Sequence, residues 1–488
     1  MKKSSVISFV LNDKICSIDI ESTGLSPTTT VLNYLRSLPA NKGTKEGCAE
    51  GDCGACTVVV AQLDNKQNLR YKAIDSCLVF LPMLQGKQLI TIENINRKAE
   101  QEVLLHPVQE SMVDTNGSQC GFCTPGFIMS LFSLYKNETN PTKASIDDAL
   151  TGNLCRCTGY RPIIEAAAKA CVHKGADQFN DKEKLIKEML LSIKRQETNL
   201  ELISGTQTYS TASGMNDALR LKEARPEALL ISGATDIALR VTKKREILKD
   251  IIDISEVPEL KFLTKEKDRI VLGAGLNLEE IKIRTEKELP ALHKMLVVFG
   301  SRQIRSLATL GGNIGSASPI GDTLPVLFAH QAIIHLKNIY AERSFPINDF
   351  ITGYRQTKRN PDEIITAIEI PLPEKSRIIA SYKVSKRKDL DISTVSAGFM
   401  LKLNDQKVEE IILAFGGMAA MTKRAVDAEK FLIGKIWNRE NIEHASEIIY
   451  SEFSPLTDAR SGAEFRRLAA RNLLVKFWSE NEMSKHPA

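Results

Sequence analysis

Eight cysteines fall into two spaced groups before residue 160, and thiolates at short spacing bind soft metals. Cys48, Cys53, Cys56 and Cys77, beginning in the stretch CAEGDCGACTVVV, read C-x4-C-x2-C with a distant fourth cysteine. This is the spacing of plant-type [2Fe-2S] centres. A loop wrapped round an inorganic core needs small residues between its ligands, and Gly51, Gly54 and Ala55 meet that need. Peptide N–H groups then point at sulfur and help to set the reduction potential. The competing chemistry is structural zinc, which is usually held by two short pairs rather than a tight triple and a lone fourth ligand.

Cys120, Cys123, Cys155 and Cys157 form the second group, in SQCGFCTPGF and NLCRCTGYRP. Each pair precedes a proline-marked helix start, so four sulfurs are expected near two helix N-termini, where free N–H groups favour an anionic centre. A C-x-C pair is unusual at zinc, which points to a second iron–sulfur cluster. Cys16 on a strand and Cys171 on the apolar side of a helix read as core thiols.

Two stretches in the middle of the chain suggest a dinucleotide. LLISGATDIALRV, residues 229–241, is a strand entering a tight turn and then a helix, the context in which N–H groups cradle a pyrophosphate. A strand–glycine–helix junction is also ordinary structure, so this signal is weak alone. ATLGGNIGSASPIGDTLPVL, residues 308–327, concentrates Gly, Ser and Asn without apolar periodicity and reads as a functional loop. Neither is G-x-G-x-x-G, and GAGLNL at 273 lacks the third glycine, so no Rossmann NAD fold is expected.

The elements that must position these residues follow from periodicity. Residues 4–93 read as a small β-rich unit: ISFVLNDKICSIDI alternates about Asn12 and Asp13, TVLNYLRSL is a short helix, and TVVVAQL and KQLITIENI are strands. Residues 94–175 have helix periodicity in HPVQESMVDT, PGFIMSLFSLYKN, SIDDALTG and RPIIEAAAKACVHK, with Pro107, Pro125 and Pro162 near first-turn positions. Residues 176–200 are charged and read as a linker with a partly helical middle. A mixed α/β pattern fills 201–373, and 377–485 reads as a sheet followed by helices. At 488 residues the chain suggests about three or four domains.

A formal net charge of +5 with interleaved signs argues against a nucleic-acid partner. No window of about 20 residues is apolar enough to span a bilayer, and the N-terminal stretch has early charges where a secretion signal needs an apolar run. The chain is expected to be soluble and cytoplasmic, without a membrane partner.

Together, CAEGDCGACTVVV, QCGFCTPG and CRCTGYRP resemble the iron–sulfur portion of the xanthine oxidase family of molybdenum hydroxylases. The resemblance implies a multidomain α+β chain. Its parts would be a β-grasp plant-type ferredoxin domain (4–93), a helical-bundle [2Fe-2S] domain (94–175), an α/β FAD-binding domain (201–373) and an α+β C-terminal domain (377–485). It implies one [2Fe-2S] cluster on each cysteine group. The two glycine-bearing stretches resemble the family's FAD-binding segments, in the same order.

Carried over, Leu230, Ile231, Ser232, Gly233, Ala234, Thr235, Asp236 and Ile237 would line the pyrophosphate and adenosine side, and Phe299 would lie against the isoalloxazine. Thr309, Gly311, Gly312, Asn313 and Asp322 match positions holding the phosphates and ribityl chain; Ile365 and Lys383 match positions near the adenine and the isoalloxazine. On another sheet Lys383 would read as a solvated charge. Ala234 departs from the family, where Gly or Asn is frequent. FGGMAAMTKRA at 415–425 resembles the domain that follows the flavin domain.

Two one-electron clusters beside a flavin imply a wire that ends at NAD. Nothing after residue 373 resembles a molybdopterin domain, so the molybdenum cofactor and the substrate-oxidising residues are expected on a large partner subunit. The fused order is similar to the small subunit of two-subunit bacterial xanthine dehydrogenases, a dimer of heterodimers acting on hypoxanthine or xanthine. An aldehyde or another N-heterocycle as substrate, and a redox sensor without turnover, are the alternatives.

Overall fold

The computed structural model describes residues 3–98, 103–172, 174–195 and 199–483. Parts of the expected helical domain (99–102 and 173), of the linker (196–198) and the end of the C-terminal domain (484–485) lie outside them. The chain divides into two compact units. One comprises Met1–Ser213, Glu227–Glu256 and Ser301–Ala308, the other Gly214–Pro226, Val257–Gly300 and Thr309–Ala488.

In the first unit, Val6–Leu11 and Lys14–Asp19 pair as a hairpin whose turn residue Asn12 takes the left-handed φ of 59° expected of asparagine. Gln88–Ile90 runs parallel to Val6–Leu11, and Thr57–Leu63 pairs antiparallel with both Gln88–Ile90 and Leu69–Asp75. The apolar run after the first cysteine loop is continuous because both faces of that strand are covered. Val58 and Val60 pack in a core with Val31 and Leu35 of helix Val31–Ser37. Val59 and Ala61 pack in another with Phe127 and Phe132 of helix Thr124–Asn137. Helices Pro107–Asp114, Lys143–Leu150 and Arg161–Val172 complete the second core, and Pro107, Pro125 and Pro162 all fall in first turns, where a missing N–H costs nothing.

The stretch expected as a linker is docked. Helix Glu183–Lys194 buries Ile186, Leu190 and Ile193 in the same core. Asp177, which caps helix Gln178–Asp181, accepts from Lys136 Nζ at 2.9 Å and from His106 Nε2 at 3.2 Å. Burial opposes that charge, but these two donors hold the carboxyl down at about 2. A second sheet joins Lys3–Ser4, Asn199–Ser204, Gln207–Thr211, Asp250–Asp253 and Leu229–Ile231 in that order.

In the second unit, Leu263–Lys265, Arg269–Gly273, Ile364–Pro371, Ile333–Lys337 and Glu342–Pro346 form an antiparallel sheet. The glycine- and serine-rich stretch 308–327 is mostly helical, a correction to its reading as a loop: Leu310–Ser316 and Thr323–Ala329 leave only six residues between them. Thr309 caps the first helix by accepting from Gly312 N, and Gly311 is needed because a Cβ there would come 2.6 Å from Ala274 O. Arg377–Val384, Val395–Asn404, Lys407–Gly416 and Lys423–Arg424 form a meander covered by helices Arg439–Glu452 and Ala463–Met483, the sheet-then-helices order the sequence implies. No helix of the described residues is long and apolar enough to cross a membrane.

His330, after helix Thr323–Ala329, is buried; its Nδ1 donates to Pro371 O at 3.3 Å, and its Nε2 has no partner among the described residues. A charged ring would leave a buried donor unpaired, so burial pushes its pKa down to about 4 from 6.5. A depressed histidine contributes stability that is complete above its unfolded pKa and lost as pH falls. Stability is therefore expected to fall by about 1.4 kcal/mol per pH unit between roughly pH 6.5 and 4. Urea unfolding of wild type and His330→Leu at pH 7 and 5 checks this; an equal pH dependence in both would remove His330 as its source.

Candidate functional site

The first cysteine group lies on a loop of left-handed turns, with Ala49 at φ 57°, Gly51 at 80° and Gly54 at 68°. That winding turns main-chain N–H groups inward, and Cys48 Sγ accepts from Glu50 N at 3.4 Å and Asp52 N at 3.2 Å. A hydrogen bond from Cys53, then these N–H groups, hold the Cys48 thiol down at about 5 against its burial, while the same bond pushes Cys53 up. Cys77, in the single turn Ser76–Leu78, accepts from Cys56 Sγ at 3.4 Å, and both are buried. Giving up that hydrogen bond, and burial, push Cys56 well up.

In the second group Cys123 caps helix Thr124–Asn137, whereas Cys155 and Cys157 stand four or more residues ahead of helix Arg161–Val172. Cys155 Sγ accepts from Thr158 N at 3.4 Å and Thr158 Oγ1 at 3.2 Å. Burial opposes the thiolate, yet these donors pull Cys155 down; burial and the bond to Cys155 push Cys123 up to about 12. Cys157 is pushed up by its hydrogen bond with Cys120. Among the described residues no three metal-binding side chains converge as on a single ion. The eight thiols form pairs instead: Cys48 with Cys53, Cys56 with Cys77, Cys120 with Cys157, and Cys123 with Cys155.

Sequence reasoning missed the groups that hold these loops. Lys243 donates to Cys48 O at 3.0 Å and pairs with Glu50 at 3.2 Å. Asp75 is fully buried beside Cys56, and its carboxyl is pushed well up by burial. Asn153 and Gln303 bond across 150 residues of sequence, and no local pattern marks them.

Of the expected flavin residues, Leu230 and Ile231 lie on strand Leu229–Ile231, and Ser232 to Ile237 turn into helix Ala238–Thr242. A Cβ at Gly233 would fall 1.9 Å from Leu307 O, so no side chain fits there. Ala234 has φ 59°, a left-handed conformation that Gly or Asn adopts at less cost, and Ser232 Oγ is buried without a partner among the described residues.

In the second unit, Asp322 Oδ2 pairs with Lys383 Nζ at 2.9 Å, and Asp322 Oδ1 accepts from Ser393 Oγ at 2.6 Å. Lys383 also donates to Val298 O at 2.9 Å, next to Phe299, so the fold brings Asp322, Lys383 and the Phe299 segment together. Asn313 accepts from Thr323 Oγ1 at 2.5 Å, and a Cβ at Gly315 would lie 3.4 Å from Ile365 Cδ1.

Three family models match: a [2Fe-2S] binding domain over residues 91–168, the FAD binding domain in molybdopterin dehydrogenase over 201–373, and the CO dehydrogenase flavoprotein C-terminal domain over 380–481. Xanthine dehydrogenase 1 of Arabidopsis thaliana is 33% identical over 92% of this chain and 38% of its own length. Xanthine dehydrogenase of Emericella nidulans is 33% identical over 97% of the chain and 38% of its own length. The chain thus spans less than two fifths of these curated relatives.

Among solved structures, carbon monoxide dehydrogenase of Hydrogenophaga pseudoflava matches with TM-score 0.53 and 22% identity, covering 56% of this chain and 96% of that one. Quinoline 2-oxidoreductase of Pseudomonas putida 86 matches at 0.52 and 20%, covering 57% and 96%; both likenesses are of fold. With three successive domain models matched and a third of its residues shared with xanthine dehydrogenases over nearly its whole length, the chain belongs to the molybdenum hydroxylase family as an iron–sulfur and FAD-binding member.

Proposed function

We propose that the chain is the electron-transfer small subunit of a bacterial, cytoplasmic xanthine dehydrogenase, with a β-grasp domain at 4–93, a helical-bundle domain at 94–175, a docked connecting stretch at 176–200, a flavin domain at 201–373 and a C-terminal domain at 377–485. The observation that carries the reading is the four thiol pairs. Two irons each held by two cysteines would make a [2Fe-2S] donor set, and the four pairs are read as two such sets. Cys48, Cys53, Cys56 and Cys77 would hold one cluster and Cys120, Cys123, Cys155 and Cys157 the other. Backbone N–H groups at Cys48 and Cys155 stabilise anionic sulfur in both.

The residues also fit FAD. The side-chain-free approach at Gly233 and the orphaned Ser232 hydroxyl suit a pyrophosphate, and Lys383, fixed by Asp322, supplies positive charge beside the Phe299 segment. When bound, the clusters and flavin supply one- and two-electron redox chemistry, which joins purine oxidation at a molybdenum cofactor on a large partner subunit to reduction of NAD. A cavity of about 880 Å³ that Lys383 helps to line also carries Lys294, Lys386 and Lys388, besides Arg387, which pairs with Asp391, and Lys476, 3.8 Å from Glu480; the remaining excess of positive charge favours an anionic dinucleotide. The expected assembly is a dimer of heterodimers.

The test uses the native complex purified through a tag on this chain. Hypoxanthine added without air is expected to bleach cluster and flavin absorption, and NAD to restore it. Bleaching by an aldehyde or a quinoline but not by purines would move the substrate. A complex without iron or flavin would overturn the reading.

A further inference from the structure

Asn153 stands between the two cysteine loops and uses every hydrogen-bonding position it has. Its Nδ2 donates to Gly54 O at 3.1 Å and to Thr57 Oγ1 at 3.2 Å. Its Oδ1 accepts from Ser130 Oγ at 2.6 Å and from Gln303 Nε2 at 2.9 Å. Two donors and two lone pairs exhaust a primary amide. Asn153 and Gln303 are buried, so no water competes for these bonds.

The contact lies between the ligand loops themselves. Gly54 separates Cys53 from Cys56, and Leu154, next to Asn153, donates its N–H to Cys53 O at 3.0 Å. One main-chain hydrogen bond therefore joins Cys53 of the first group to the residue preceding Cys155 of the second. Three glycines allow this approach. A Cβ at Gly54 would lie 2.3 Å from Gly152 O, one at Gly126 would lie 2.2 Å from Gly54 O, and one at Gly152 would lie 2.3 Å from Gln303 Oε1. Gln303 reaches this point from the one-turn helix Arg302–Arg305, whose Arg305 is anchored to Asp148 at 2.5 Å.

We propose that Asn153, clamped by Gln303 and Ser130, is a positioning residue that fixes the separation of the two iron–sulfur clusters and so the coupling between them. The proposal rests on the assignment of both cysteine groups to clusters. A saturated, buried amide resists displacement in every direction, since any shift leaves a buried group unpaired. The route from Cys155 through Leu154 to Cys53 stays short only while that amide holds Gly54 against Gly152.

The clusters' magnetic interaction reads this geometry directly, because the dipolar splitting between two reduced, paramagnetic clusters falls with the inverse cube of their distance. The experiment records electron paramagnetic resonance spectra of the dithionite-reduced, full-length wild type and of Asn153→Ala and Gln303→Leu, with iron and flavin contents measured on the same samples. Wild type is expected to show two cluster signals with mutual splitting. Both variants are expected to keep iron, flavin and both signals and to lose or change the splitting; Gln303→Asn, too short to reach Asn153, is expected to behave as Gln303→Leu.

Unchanged splitting in variants that keep both signals would overturn the proposal. Should Asn153→Ala lose its clusters, Gln303→Leu decides, since it keeps Asn153 and removes only the clamp on its oxygen, freeing the amide to shift from Gly54, and a wild-type splitting there overturns it equally. A wild-type chain with fewer than two cluster signals would overturn the cluster assignment, and the proposal with it.

Discussion

A Cys155→Ser chain is expected to show one [2Fe-2S] signal where the wild type shows two, with FAD retained. Thr158 donates to the Cys155 sulfur through both main chain and hydroxyl, and these donors pull its pKa down against burial. A serine hydroxyl at the same place stays protonated near neutral pH and is a hard donor where iron–sulfur chemistry takes a soft thiolate. Without Cys155, the pair it forms with Cys123 supplies one thiolate where an iron of the cluster takes two. Cys171→Ser is the control: that thiol is buried in the helical core and belongs to neither group's pairs, and both signals are expected to persist. Two undiminished signals from Cys155→Ser would remove the second group as a cluster site.

Cysteine patterns of this kind are legible because short spacing is written on one stretch of chain. C-x4-C-x2-C and C-x-C are local patterns, and the turn that serves them is written in Gly51 and Gly54. Strand Thr57–Leu63 and the proline-started helices were legible for the same reason, since periodicity and first-turn prolines are local. What stayed hidden depends on distance along the chain. Asn153 meets Gln303 across 150 residues, and Lys243 meets Cys48 across 195.

Helix Leu310–Ser316 was hidden by composition. Its glycines are poor helix formers, kept because Gly311 lies against Ala274 and Gly312 completes the Thr309 cap. The helical middle of 176–200 was legible, but its docking was masked by charge, which occupies the outer face of helix Glu183–Lys194 while Ile186, Leu190 and Ile193 reach the core. Nothing in the sequence around Ala234 announces that its backbone takes a left-handed φ, which an alanine adopts only at a cost.

Asp322→Ala is expected to empty the flavin site and to destabilise the chain, and the two effects are separable. Asp322 and Lys383 are 7% and 4% exposed and pair at 2.9 Å, so removing the carboxylate strands a buried ammonium. Breaking such a pair from one side costs about 3–5 kcal/mol, whereas replacing both partners with apolar groups of similar volume is often neutral. The double variant Asp322→Leu with Lys383→Met is therefore expected to recover the wild-type urea midpoint.

Flavin content is expected to stay low in both variants, because the double variant restores packing but neither the charge of Lys383 nor its bond to Val298 O beside Phe299. Flavin released by acid, measured against protein, reads occupancy independently of stability. Full occupancy in the double variant would leave Asp322 and Lys383 as a structural pair of the second unit and take both out of the flavin site. Low occupancy at wild-type stability would mean that this buried ion pair is kept for the flavin, since the fold does not need its charges.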